Sequence, residues 1–270
     1  MFYVALAGAI FIGLVLGLFG AGGAILTIPI LSYLLGINPH EAIIYSYFIV
    51  GVISTTVSIP RFIRKEINLK ALLWFGIPSA ITLFISRKYI VPYIPNSIVQ
   101  DSDFEITKGN ATMLLLSLIL AWSGFKMLKN NLYIPSFNDA KLNSYKILLI
   151  GISIGLLTGF VGVGGGFIIV PSLVLLLRLE PNAAVINSLA ILSVNNLVGF
   201  IVSRDQVLEI NWTILIFFTV SAFIGTGIGI RLRVNLGSDH LMKYFAYILL
   251  LVSVLVLLAE LNKIFYLRII

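Results

Sequence analysis

From Ile147 to Leu177 no side chain carries a charge, and none does from Met1 to His40. Further uncharged runs cover 42–60, 71–86, 109–125, 181–203, 210–230 and 244–259. A helix that crosses the hydrocarbon core needs about 20 mostly apolar residues, so most of these runs fit one span each. The two longest exceed one span and must break or fold back within the bilayer. Only 11% of the chain is charged, against about 25% in a soluble domain, too little to cover a water-facing surface. The chain therefore reads as an all-α polytopic protein of the cell membrane, with the lipid bilayer as its solvent.

Residues 1–19 lack a basic leader and their apolar run continues past any cleavage point, so a retained first helix is expected. There is no cysteine, which excludes disulfides, thiol nucleophiles and iron–sulfur ligation. The net charge of +7 is scattered among loops and forms no stripe. That fits basic cytoplasmic loops and no nucleic-acid partner.

The chain repeats itself. Shifted by 142 residues, "GLFGAGGAILTIP" (17–29) lies over "GFVGVGGGFIIVP" (159–171) without a gap. Gly13, Gly17, Gly20, Gly22 and Gly23 fall on Gly155, Gly159, Gly162, Gly164 and Gly165. Pro29 falls on Pro171, Pro39 on Pro181 and Ser46 on Ser188. After a one-residue slip, Ile67-Asn68 matches Ile210-Asn211. Two homologous transmembrane repeats follow, residues 1–130 and 147–270, joined by a polar linker at 131–146. Each repeat holds a glycine-broken helix pair and three transmembrane helices, eight to ten hydrophobic segments in all. The first repeat predicts helices near 3–19, 24–36, 41–60, 70–88 and 111–128. The second predicts 147–161, 166–178, 183–202, 212–231 and 241–260. The second segment of each repeat, at about 20 Å, is short against a core of about 30 Å. If each broken pair enters and leaves on one side, the repeats are inverted.

Glycine weakens a helix by about 1 kcal/mol and proline by about 3, so the glycine clusters need a reason. A broken helix at membrane depth survives where protein or a wet cavity surrounds it. Its free N–H groups and dipole favour an anion. Paired broken helices in two halves mark a transporter's substrate site. Gly20, Gly22, Gly23, Gly162, Gly164, Gly165 and Gly166 are thus candidate anion-lining turns near the midplane, with Pro29 and Pro171 as helix-breaking residues. Gly13, Gly17, Gly151, Gly155 and Gly159, spaced by four, read as helix-packing positions. No strand–helix unit surrounds the glycines, which excludes a nucleotide loop.

The two glycine turns, each followed by a proline and then by "YSY" (45–47) or "NSL" (187–189), resemble the sulfite exporter TauE/SafE family over nearly the whole chain. The resemblance implies an integral membrane permease that exports or takes up sulfite, organosulfonates or related small anions, without a cofactor or metal. The family triplet is like Thr-Ser-Leu; here Ser46 and Ser188 are kept and Tyr45 and Asn187 precede them.

Polar groups inside the spans add Tyr45, Ser46, Asn187, Ser188, Asn195 and Asn196 as candidate substrate contacts, since asparagine and hydroxyl donors hold an oxyanion without full charge. Their competing role is to bridge helices. Glu41, Arg61, Arg87, Arg178, Arg204 and Glu260 lie at predicted helix ends and read as interfacial charges. His40 and His240 read as solvated loop residues. Without a cysteine or a buried acid pair, no catalytic residue is expected. A secondary anion transporter is the favoured reading; an anion channel, a membrane assembly partner and, further off, an intramembrane enzyme are the alternatives.

Overall fold

A computed structural model describes residues 2–20, 23–95, 97–100, 105–129, 144–162, 165–175, 177, 179–206, 210–234 and 238–266. The first repeat contributes α1 (Phe2–Phe19), α2 (Gly23–Leu34), α3 (Pro39–Ile63), α4 (Leu69–Tyr93) and α5 (Lys108–Lys129). The second contributes α6 (Ser144–Val161), α7 (Gly166–Leu175), α8 (Pro181–Ser203), α9 (Trp212–Val234) and α10 (Ser238–Tyr266). The fold is all-α apart from a short antiparallel hairpin between α4 and α5, β1 (Ser97–Gln100) and β2 (Glu105–Thr107). Among the described residues six helices are long and apolar enough to cross a membrane: α3, α4, α5, α8, α9 and α10. Bulky side chains such as Trp74, Trp122, Ile216 and Leu255 are exposed along them, as a lipid-facing surface requires. The protein is a multi-pass membrane protein.

The short second segments are present as α2 and α7, with 12 and 10 residues. Pro29 and Pro171 lie inside these helices rather than at their ends, which corrects the expectation that they break the chain. Each proline removes one i→i−4 bond within its helix, while the chain reverses at the glycines.

Helices are exchanged between the repeats. The first helix of each packs on the fourth of the other, α1 on α9 and α6 on α4. Both pairs run parallel. Gly13 sits at Ala222 and Gly17 at Thr226, while Gly151 sits at Phe75 and Gly155 at Ser79. Hydroxyls tie the second pair: Thr82 Oγ1 donates to Ile152 O at 3.1 Å and Ser86 Oγ to Leu156 O at 3.3 Å.

Equivalent helices meet each other antiparallel. On α3 and α8, Gly51 faces Asn196 and Tyr47 faces Gly199. On α5 and α10, Ser253 Oγ donates to Ser117 O and Asn110 Nδ2 to Glu260 Oε2, both at 2.8 Å.

The fourth helices are capped by matching devices. Asn68 Oδ1 accepts from Ala71 N and Asn211 Oδ1 from Ile214 N, each at 3.1 Å, as N-cap residues do. The backbone N–H of Asn68 donates to Asn187 Oδ1 and that of Asn211 to Tyr45 OH, each at 2.7 Å. Each cap is therefore held by the third helix of the opposite repeat.

A candidate anion site at the second glycine turn

The chain leaves α6 and turns at Gly162, whose φ of 80° is a left-handed conformation suited to glycine. A Cβ built there would lie 2.1 Å from Arg87 Nη2 and 2.6 Å from Ile43 Cγ2. The guanidinium thus rests directly on the turn's backbone. In the first repeat a Cβ on Gly20 would meet Ser188 Oγ at 2.7 Å and Val185 O at 2.8 Å. Ile43 and Val185 are repeat equivalents, so each turn packs on the third helix of the other repeat.

That arrangement keeps the two turns apart. Because α3 and α8 are antiparallel, Ile43 and Val185 lie at opposite ends of the crossing. At 1.5 Å per residue they are about 25 Å apart along the helix axis. The expected single midplane site built from both turns is not what the geometry brings together. Gly22 and Gly164 lie outside the described residues. Gly23 packs against the α1 backbone at Ile12, and Gly165 against Thr158. Gly166 opens α7.

The polar candidates divide. Tyr45 and Asn187 are committed to the capping bonds of α9 and α4. Ser188 Oγ donates to Val185 O at 2.8 Å beside the Gly20 turn. Ser46 is fully buried and its Oγ has no partner among the described residues. At the α3/α8 crossing Asn195 Oδ1 accepts from Ser79 Oγ at 3.0 Å, and its Nδ2 has no partner. Asn196 Nδ2 donates to Leu192 O at 2.8 Å and its Oδ1 has none.

Two residues read as interfacial charges are buried instead. Arg87 and Glu260 are each 1% exposed. Both line a cavity of about 930 Å³ with Lys108 and Lys263. Ile28, His40, Ile43, Phe160 and Val161 form further walls, so the cavity reaches the residues that enter the Gly162 turn. His40, expected in a solvated loop, is half-buried near the start of α3. Arg204 is exposed, as expected; Arg178 lies outside the described residues.

Similarity to known proteins settles the family. The model of the sulfite exporter TauE/SafE family matches residues 5–256. A probable membrane transporter protein of Xylella fastidiosa is 31% identical over 91% of both chains. One of Methanocaldococcus jannaschii is 25% identical over 92% of both, and one of Bacillus subtilis 26% over 82% of this chain and 85% of its own. No solved structure gives a significant match.

The chain belongs to the TauE/SafE family.

In this TauE/SafE protein the cavity's charges are not equally available. Lys108 Nζ caps carbonyls at the end of α4, those of Val91 and, at 3.4 Å, Ile94. Lys263 Nζ is 3.2 Å from Glu260 Oε1 and 4.6 Å from the centre of the Tyr33 ring. Glu260 also accepts from Tyr33 OH at 2.7 Å and from Asn110 Nδ2 at 2.8 Å. Arg87 Nε donates to Tyr47 OH at 3.1 Å, but Nη2 has no partner among the described residues. Of the cavity's cations it alone carries a buried, unpartnered donor there. Sequence reading missed it because it ended the helix near 88. The apolar "YIVPYIP" that follows Arg87 and Lys88 (89–95) was the available signal that α4 runs on, to Tyr93.

Proposed function

We propose that this chain is a secondary transporter of small oxyanions, of the sulfite and organosulfonate class, in the plasma membrane. One observation carries the anion reading: a half-open cavity at one end of the helix bundle, lined by three cationic side chains and one carboxylate. An excess of fixed positive charge in a cleft with low-dielectric walls focuses the field and raises the local anion concentration. The name of the family supports sulfite in particular. Purified protein in proteoliposomes should move sulfite with saturable, substrate-selective kinetics and compete with organosulfonates more than with simple carboxylates. Flux that rises linearly with concentration would make it a channel, and no flux would remove the transport reading.

The proposal includes inverted repeats, with the linker face cytoplasmic. Antiparallel crossing of equivalent helices supports this, as does the collection of most basic residues on the linker side. The loops between the third and fourth helices test it, because inversion puts them on opposite faces. With no native cysteine, Arg64→Cys and Asp205→Cys, both at exposed positions, give clean labels. A membrane-impermeant maleimide should reach Asp205→Cys from outside and Arg64→Cys only after lysis. Labelling of both from one side would mean parallel repeats.

A further inference from the structure

We infer that Arg87 is the residue that grips the anion. The inference rests on the transport reading above and names the residue within it.

The first observation is energetic. Arg87 is 1% exposed and has no carboxylate within 4 Å among the described residues. A buried cation left without a counter-charge is costly, and an orphaned donor adds to the cost. Such a group is retained where something else needs it.

The second is internal comparison. Gly159 packs on Ser86, and its repeat equivalent Gly17 packs on Gly229 and Ile230. The residue after Ser86 is Arg87, and the residue after Gly229 is Ile230. An apolar side chain therefore suffices for folding at the related position. The cation at residue 87 is an addition to the fold, not a requirement of it.

The third is local backbone. Arg87 lies in a π-helical turn, Ser86–Ile90, within α4. Such turns insert a residue into the helical register and occur often at functional sites. Tyr47 then holds the aimed guanidinium: its hydroxyl accepts from Nε, and its ring centre lies 5.3 Å from Arg87 Cζ. The Tyr47 ring is backed by Gly199 of α8. Tyr47 is thus a positioning residue for Arg87.

A planar guanidinium presents paired donors that match two oxygens of one oxyanion, which a spherical halide cannot supply. The chemistry selected is a small sulfur or carbon oxyanion, with chloride disfavoured.

The test uses purified full-length protein with sulfite, sulfate, methanesulfonate and chloride, reading both binding and proteoliposome flux. Arg87→Gln should lose about 100-fold in sulfite affinity, the scale expected when one partner of a buried charge pair is truncated. Arg87→Lys should recover part of the affinity while losing preference for oxyanions over chloride. Arg204→Gln, on the exposed surface, should behave as wild type. If wild type moves sulfite saturably and folded Arg87→Gln does so equally well, the anchor is overturned and the transport reading stands. If wild type binds none of the four, both fall. Should Arg87→Gln not fold, Tyr47→Phe decides. About a tenfold loss of affinity, with weakened oxyanion preference, supports the assignment, and unchanged affinity and selectivity overturn it.

Discussion

Gly13→Ala is expected to abolish recovery of folded protein, although alanine is the better helix former. The added Cβ would lie 1.8 Å from Ala222 O, 2.6 Å from its carbonyl carbon and 2.9 Å from its Cα. These are backbone atoms of α9 and cannot rotate away. Relief requires α1 and α9 to separate along a parallel contact that also holds Gly17 against Gly229. Overpacking a core costs about 1–3 kcal/mol when side chains can adjust, and more when they cannot. Close helix approach through small residues at four-residue spacing is how membrane helices gain packing energy without a hydrophobic drive. Gly155→Ala should behave alike, with its Cβ 2.1 Å from both Ser79 O and Thr82 Oγ1. Gly227→Ala is the control, because nothing lies within 4 Å of its Cβ. The monodisperse fraction in detergent and the melting temperature should collapse for Gly13→Ala and Gly155→Ala and stay level or rise for Gly227→Ala. Normal yield of Gly13→Ala would mean that α1 does not seat on α9 as described.

The helices themselves were legible because uncharged run length and glycine position both act locally. The predicted 41–60 is observed as Pro39–Ile63 and the predicted 212–231 as Trp212–Val234. The exchange of α1 and α6 between repeats was not legible. Internal similarity shows that two segments are equivalent but not which half each packs against. Tyr45 and Asn187 looked like specificity residues because they differ between the halves. In the structure they share one task, since a phenol oxygen and an amide oxygen both accept from a backbone N–H. Arg87 and Glu260 were misplaced for a single reason. Both sit near helix ends in sequence. Tyr47 and the Gly162 turn cover the first, while Tyr33 and Asn110 hold the second. Burial of this kind comes from tertiary packing, which a hydropathy run does not encode.

Gly162→Ala and Gly20→Ala should separate the two glycine turns by function although they strain the backbone equally. Their φ angles are 80° and 74°, and forcing an L side chain into that region costs about 1–2 kcal/mol at either position. Gly20→Ala should lose the more stability, because its methyl also meets a backbone atom, the Val185 carbonyl oxygen, at 2.8 Å. Their neighbours differ. At Gly162 the new methyl group overlaps Arg87 Nη2 and the Ile43 side chain, the ends of flexible groups that can move. The fold can accommodate the methyl, but only by displacing the guanidinium from the turn. At Gly20 the three nearest atoms to the methyl belong to Ser188 and Val185, and none to a cation. Gly162→Ala is thus expected to lower sulfite affinity and flux per folded molecule by about 100-fold, comparable to truncating a buried charge partner. Gly20→Ala should keep anion binding close to wild type once corrected for its folded fraction. Melting temperature, equilibrium binding and initial flux on the same preparations supply the comparison. Equal loss of binding in both variants would show that the turns act as a symmetric pair. Unchanged binding in folded Gly162→Ala would show that the second turn shapes the helices without touching the anion.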